Sequence, residues 1–173
     1  MRTRDVDHTP RDEDFAAFYE QARAGCLRAV YAAVGDWTRA EDATAEAFAR
    51  AYAGWRKVSR HPAPHAWVVR TALNTHVSWW RRRRREVAWD ASHDAEDLAP
   101  ERARIDRQVM AALQALPDRQ REVVVLRIFL DLDTKTTARA LGVAPGTVMT
   151  HLSRALASLQ KALGSSTRQE HLQ

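Results

Sequence analysis

Cysteine is nearly absent from this sequence: Cys26 stands alone among 173 residues. A single thiol excludes an internal disulfide and a cysteine-built zinc site, and it fits a reducing compartment. Glycine and proline number six each, too few for the many tight turns of a β-rich fold. No apolar run approaches the roughly 18 residues that would cross a bilayer, so no membrane partner is expected. The opening stretch MRTRDVDHTPRDED has no apolar core, so no signal peptide is expected. Catalytic signatures are missing too. No HExxH, no CxxC and no glycine-rich phosphate loop occurs. His61 and His65 flank a proline loop at a spacing that could hold a metal, but no third ligand accompanies them. The expectation is no metal, no cofactor and no enzymatic activity.

What the chain has in quantity is positive charge. It carries 27 Lys+Arg against 22 Asp+Glu, a net charge of +5. That balance points to a polyanionic partner. The charge is segregated. Residues 49–85 hold ten Arg/Lys and no Asp or Glu. The same stretch holds four of the six tryptophans, Trp55, Trp67, Trp79 and Trp80, and it ends in five consecutive arginines, Arg81–Arg85. Residues 86–106 reverse sign, with seven acids and two arginines. From Thr134 onward the chain is basic again, with five Lys/Arg against Glu170. The pattern reads as a helical N-terminal module, an acidic tether and a C-terminal module.

With 45% hydrophobic residues the chain can build packed cores. Ala, Arg, Leu, Glu and Gln favour helices, and no period-2 alternation predicts a sheet, so the fold class is all-α. Phe15, Phe18, Tyr19, Ala22, Cys26, Ala29, Val30 and Ala33 make an amphipathic stripe that Gly35-Asp36 ends. Thr38, with Glu41 three residues on, reads as a capping box for a second helix. Its buried stripe would be Ala43, Ala47, Phe48, Ala51 and Tyr52. Ser59–Pro64 reads as a loop, and Ala66 to about Arg84 as one long helix. A stripe of Ile105, Val109, Leu113 and Leu116 stops at Pro117, and Asp118 is placed to cap a helix through Leu130.

The C-terminal module carries the clearest local motif. A short helix opened by Asp133 runs to Leu141, Gly142-Val143 turns, and Pro145 starts a second helix to about Leu163. Ala138, Leu141, Val143, Val148 and Leu152 fall where two crossing helices pack. This is a helix-turn-helix, whose second helix can present Thr147, Met149, Thr150, His151 and Arg154 to a major groove. An ordinary αα-hairpin needs the same small and apolar residues. The Trp/Arg stretch also has two readings. Tryptophans fill cores and arginine runs solvate helix ends, whereas flat rings with acid-free cations suit single-stranded nucleic acid.

Four segments together resemble the extracytoplasmic-function group of bacterial RNA polymerase sigma factors, its actinobacterial members most. Residues 40–48 (AEDATAEAF) resemble the conserved-region-2.2 motif, and residues 66–74 (AWVVRTALN) with the following THVSWWRRR resemble the promoter-melting helix. Residues 116–127 (LPDRQREVVVLR) resemble the opening of region 4, and residues 142–148 (GVAPGTV) the start of the recognition helix. The resemblance covers about residues 14–163. It implies two small helical domains, region 2 over 12–86 and region 4 over 105–164. A linker over 87–104 joins them, between tails at 1–11 and 165–173, and no sensor domain is expected after Leu163. It implies a cytoplasmic factor that binds core RNA polymerase, through the β′ clamp helices and β flap, and directs it to promoters. The DNA partners are duplex and melted non-template strand, and the resemblance allows an anti-sigma factor as a further partner. A free-standing helix-turn-helix regulator is the alternative.

Residue by residue, the resemblance places Asp42 and Glu46 on the clamp. It gives Asn74 and the loop Val58–Pro64 the capture of a flipped −10 base. Arg70, Trp79, Trp80, Arg81, Arg82 and Arg83 would hold the strands, with Arg56, Lys57 and Arg60 beside them. Arg139, Thr147, Met149, Thr150, His151 and Arg154 would meet the −35 element. The sequence departs from the family where Ala45 replaces a common Gln, and Ala144 a common Ser. Thr136-Thr137 stands in place of Glu-Ile, and Met149 and His151 in place of common Lys or Arg.

Overall fold

The computed structural model describes residues 10–86, 100 and 105–170, with side chains over 10–75, 100 and 105–164. The tail residues 1–9 and 171–173 and, apart from Pro100, the linker 87–104 lie outside the described residues. So do the side chains of Trp79, Trp80 and Arg81–Arg85. All regular structure among the described residues is helical. The two regions are helical, as the resemblance implies.

Helix α1, Pro10–Val34, opens on proline, with Asp12 and Glu13 in its first turn facing the positive end of the helix dipole. Pro10 and Arg11, expected in the tail, are therefore helical. Gly35 ends α1 in the left-handed region at φ +78°, where glycine carries no Cβ penalty. Its N–H returns to the Tyr31 carbonyl at 2.8 Å. Helix α2 is Trp37–Ala53, capped by Asp36, whose carboxylate accepts from the Arg39 N–H at 2.9 Å. The cap expected at Thr38 thus falls two residues earlier. The chain is already turning at Gly35, and an Asp caps at least as well as a Thr. Helix α3 is one turn, Trp55–Val58, and α4 is Pro64–Glu86, beginning on a proline.

Helix α5, Arg107–Gln114, is capped by Asp106, which accepts from the Gln108 and Val109 N–H groups. Helix α6, Asp118–Val124, follows Pro117. Pro117 itself holds the cap position, so Asp118 is the first helical residue rather than the expected cap. A π-helical turn, Val125–Phe129, continues α6. Helix α7 is Thr134–Leu141, and α8 is Pro145–Glu170, reaching into the expected C-terminal tail.

Helices α1, α2 and α4 pack on one another, and α5, α6 and α7 pack with α8 or the π turn. The two groups do not stand apart. α1 packs on α5 and on the π turn, and α4 packs on α7. One continuous core therefore runs from Cys26, Ala29 and Phe48 through Val68 and Val69 to Val125, Leu126 and Val148. Most expected core positions are filled as the stripes predict. Tyr52 and Val143 are the exceptions, 43% and 36% exposed. Tyr52 turns outward because its hydroxyl donates to Asp12 Oδ1 at 2.7 Å and Arg11 lies over its ring. Val143 is the second residue of the turn between α7 and α8, where its N–H reaches the Ala138 carbonyl and its side chain stays at the surface.

Candidate nucleic-acid interface

The helix-turn-helix is built by local chemistry. Asp133 Oδ1 accepts from the Thr136 N–H and Oδ2 from the Thr136 hydroxyl, both at 2.8 Å. These bonds hold the exposed Asp133 carboxyl below its usual range, the backbone donor being the larger cause. Thr136, where the family carries Glu, thereby completes the cap of α7. Gly142 at φ +68° closes the helix in the left-handed region. Pro145 then supplies a helix-ready φ, and the Thr147 and Val148 N–H groups return to the Ala144 carbonyl. Val148 and Ala155 are buried against the module, which turns Thr147, Met149, Thr150 and Arg154 to the surface. Met149 is 63% exposed. His151 is the outlier: it is half-buried, and its Nδ1 is buried without a partner among the described residues. Arg139 is exposed on α7.

On the N-terminal side, Arg56, Lys57 and Arg60 are exposed around α3, and Asn74 is exposed one turn beyond Arg70 on α4. Trp55 is buried and Trp67 half-buried, so both serve the core. The intervening loop is ordered from within. His61 Nδ1 bonds the Ala63 backbone, and burial pushes the His65 imidazole below its ordinary pKa, with His61 a second cause. Arg70 does not point freely into solvent: its guanidinium donates to the Ala140 carbonyl of α7. No group of three or more His, Cys, Asp or Glu is placed to hold a metal among the described residues.

Asp42 and Glu46 are both exposed one turn apart on α2. Glu46 accepts from Arg50 Nε at 2.8 Å, so half of this acidic pair is already partnered by a cation. Ala45 lies between them on the wall of a shallow cleft of about 130 Å³ that Tyr19, Arg23, Glu41 and Thr44 also line. Sequence reasoning missed Gln114. Its amide donates to the Ala32 and Ala33 carbonyls at 3.0 and 3.3 Å, and its Oε1 accepts from Arg121 at 3.1 Å. A lone glutamine at a helix end gives no sequence signal for a contact 82 residues away.

Two helical modules, one exposing a cation-bearing helix pair and the other a helix-turn-helix, define the architecture of a promoter-binding initiation factor. The chain belongs to the sigma-70 family of RNA polymerase sigma factors, in its extracytoplasmic-function group. Residues 18–86 match Sigma-70 region 2 and residues 106–159 match Sigma-70, region 4. The RNA polymerase sigma-E factor of Streptomyces antibioticus is 36% identical over 154 residues, covering 87% of this chain and 84% of that protein. The sigma-E factor of Streptomyces coelicolor is 33% identical over 156 residues, covering 87% and 86%. Among solved structures, the sigma factor RpoE of Bartonella quintana, crystallised with the anti-sigma factor NepR, shares the fold. Its TM-score is 0.71 at 22% identity, covering 88% of this chain and 98% of that one. The chain is thus a sigma factor that binds core RNA polymerase and directs it to promoters. A free-standing helix-turn-helix regulator would leave residues 18–86 without a role, and their match to region 2 decides against it.

Proposed function

We propose that the chain docks on the polymerase clamp through Asp42 and Glu46 and reads promoters with two separate faces. Asn74 and the Val58–Pro64 loop take a flipped −10 base, with Arg56, Lys57, Arg60 and Arg70 on the strands near them. Trp79, Trp80 and Arg81–Arg83, whose side chains lie outside the described residues, are assigned to the same strands by the family resemblance alone. Thr147, Met149, Thr150, Arg154 and Arg139 meet the −35 duplex, and His151 contributes through its ring edge. The working modules span 12–86 and 105–164, joined by 87–104. The factor acts in the cytoplasm and is not itself an enzyme: it positions DNA, and the polymerase does the chemistry. An anti-sigma factor is a fitting regulator, since NepR is the partner of the RpoE relative.

The observation that carries this reading is the exposure of Asp42, Asn74 and the recognition-helix face in one chain, each on its own helix. Run-off transcription with purified core polymerase on genomic fragments tests the whole. Reversing Asp42 and Glu46 to Lys should lower polymerase retention in a pull-down while leaving the helical circular dichroism intact. Unchanged retention would remove the clamp assignment. Asn74→Ala should relax discrimination at one −10 base. A uniform, sequence-independent loss would instead make Asn74 a backbone contact.

A further inference from the structure

Thr44 is out of keeping with its place in α2. It is 4% exposed, and its Oγ1 is buried with no hydrogen-bond partner among the described residues. A buried hydroxyl left unpaired is a net cost to the fold. Thr44 also lines the cleft of about 130 Å³ between α1 and α2. The fold thus keeps an unsatisfied hydroxyl at the wall of an open cleft, where a visiting group could satisfy it.

The rest of the cleft is firm and mostly apolar. Tyr19 of α1 and Phe48 of α2 meet edge to face at a centroid distance of 4.9 Å, and Phe48 is 3% exposed. Leu27 adds a half-buried aliphatic wall. The rim carries one charge of each sign. Arg23 of α1 lies with its guanidinium 5.9 Å from the Tyr19 ring centre. Glu41 of α2 is exposed and enters no ion pair among the described residues. Ala45 keeps the α2 wall low, because its side chain stops at one methyl where a longer one would stand over the opening.

Size and chemistry together define the guest. Pockets for drug-sized ligands start at about 300 Å³, so this cleft is too small for a cofactor and suits a single side chain. A carboxylate would stand against Glu41, and a cation against Arg23, so neither charge is favoured. The site offers apolar surface and one hydroxyl that can donate or accept. Its complement is a neutral side chain with an apolar body and one hydrogen-bonding group. Position gives the source. Glu41 and Ala45 alternate along α2 with Asp42 and Glu46, so whatever docks on those two acids also lies over the opening.

We infer that the cleft is a socket for one neutral, hydrogen-bonding side chain of the polymerase clamp, and that the Thr44 hydroxyl is the group that reads it. The inference rests on the proposed docking of Asp42 and Glu46 on the clamp and adds an uncharged contact to it. The two contacts do different work. The exposed acids attract at range and are screened by salt. The socket acts only at contact, excludes water and fixes the register of the docked helices. Alanine at 45, in place of the family's common glutamine, gives up an outward-reaching amide and leaves room for a partner's side chain to reach in.

The test is the affinity of the full chain for immobilised core polymerase, measured at low and at high salt, with the Tm of each free variant beside it. Thr44→Val keeps the shape and removes the hydroxyl. It should weaken binding roughly fivefold, the effect of one lost neutral hydrogen bond, by the same factor at both salt concentrations, while Tm holds or rises. Thr44→Ser, which restores a hydroxyl, should recover the affinity. Ala45→Phe, on an exposed position, should fill the cleft and weaken binding about tenfold, since the guest loses its apolar and polar contacts together. Thr44→Val binding as wild type would overturn the socket. So would a loss that comes with a lower Tm, or one that Thr44→Ser shares, because either marks a packing defect. Reversal of Asp42 and Glu46 to Lys tests the underlying reading separately, through a loss that shrinks at high salt. If that reversal changes nothing while Thr44→Val weakens binding, the acid assignment falls and the socket stands. If the reversal weakens binding and the Thr44 and Ala45 variants do not, the socket alone falls.

Discussion

The indole N–H of Trp55 donates to Asp14 Oδ2 at 2.9 Å, tying α3 to the second turn of α1. Around this bond Phe15 and Phe18 pack their rings on Trp55 at centroid distances of 5.2 and 4.8 Å. Trp55 is 4% exposed, so its N–H has little water to turn to. Asp14→Ala should leave that donor unpaired and cost about 1–2 kcal/mol. Urea denaturation should show a lower midpoint with an unchanged slope.

Thr137 makes the opposite prediction. It is fully buried in α7, and its hydroxyl has no hydrogen-bond partner among the described residues. A buried hydroxyl without a partner is a net cost. Thr137→Val keeps the shape and removes the polar atom, so it should stabilise the protein by about 1 kcal/mol. Thermal melts of the full chain would show this as a rise in Tm. A fall in Tm would mean that the hydroxyl has a partner after all.

Cys26 is 0% exposed, and burial pushes its thiol up to about 12. Its Sγ lies 3.7 Å from the His65 carbonyl, a weak contact that holds α1 against α4. Thiolate, the reactive form, is therefore scarce at neutral pH. Native protein at pH 8 should not react with a thiol-specific disulfide reagent over hours, and unfolded protein should release one equivalent at once.

His65 gives the fold a pH dependence with a definite sign. Its folded pKa lies below the unfolded value, so the unfolded state binds more protons as the pH falls. The stabilisation from keeping it neutral is complete above the unfolded pKa of about 6.5 and is lost as the solution acidifies past it. Denaturation midpoints should fall more between pH 8 and pH 5.5 in wild type than in His65→Gln. Equal falls in both proteins would assign the effect to other groups.

The parts legible in the sequence were those written in local spacing. The helix-turn-helix follows from Asp133, Gly142 and Pro145, three residues with fixed conformational duties within thirteen positions. The all-α class follows from stripes such as Cys26, Ala29 and Val30. Thr38 and Glu41 have the spacing of a capping box and so point to a cap at Thr38, whereas Asp36 takes the cap because the chain already turns at Gly35. Less legible was everything carried by side chains acting at long range. Arg70 has the look of a DNA-facing cation, and nothing in its neighbourhood in sequence announces Ala140. Gln114 is likewise an unremarked polar residue until α1 is set beside it.

The recognition helix carries the last prediction. Thr147, Met149, Thr150 and Arg154 are exposed, and Arg154 is the one cation among them. Phosphate contacts supply most non-specific affinity, and each cation engaged steepens the salt dependence by about one unit in the log–log slope. With Arg139 of α7 the proposed face carries only two arginines, so it should bind −35 duplex weakly and with a shallow slope. Met149, 63% exposed, is placed to meet a thymine methyl by apolar contact instead. Met149→Lys should tighten binding to promoter and scrambled duplexes alike, raise the slope by about one, and narrow the ratio between the two sequences. His151→Arg should behave differently, because His151 is half-buried and its Nδ1 faces inward. The longer cation must leave that site, so its gain in DNA binding should come with a lower Tm. Fluorescence anisotropy of the full chain at two salt concentrations measures both, and the full chain is the right material because region 4 shares its core with region 2. Tight, steeply salt-dependent binding by the wild-type chain would show that cations outside this face dominate, and the Met149 assignment would fall with it.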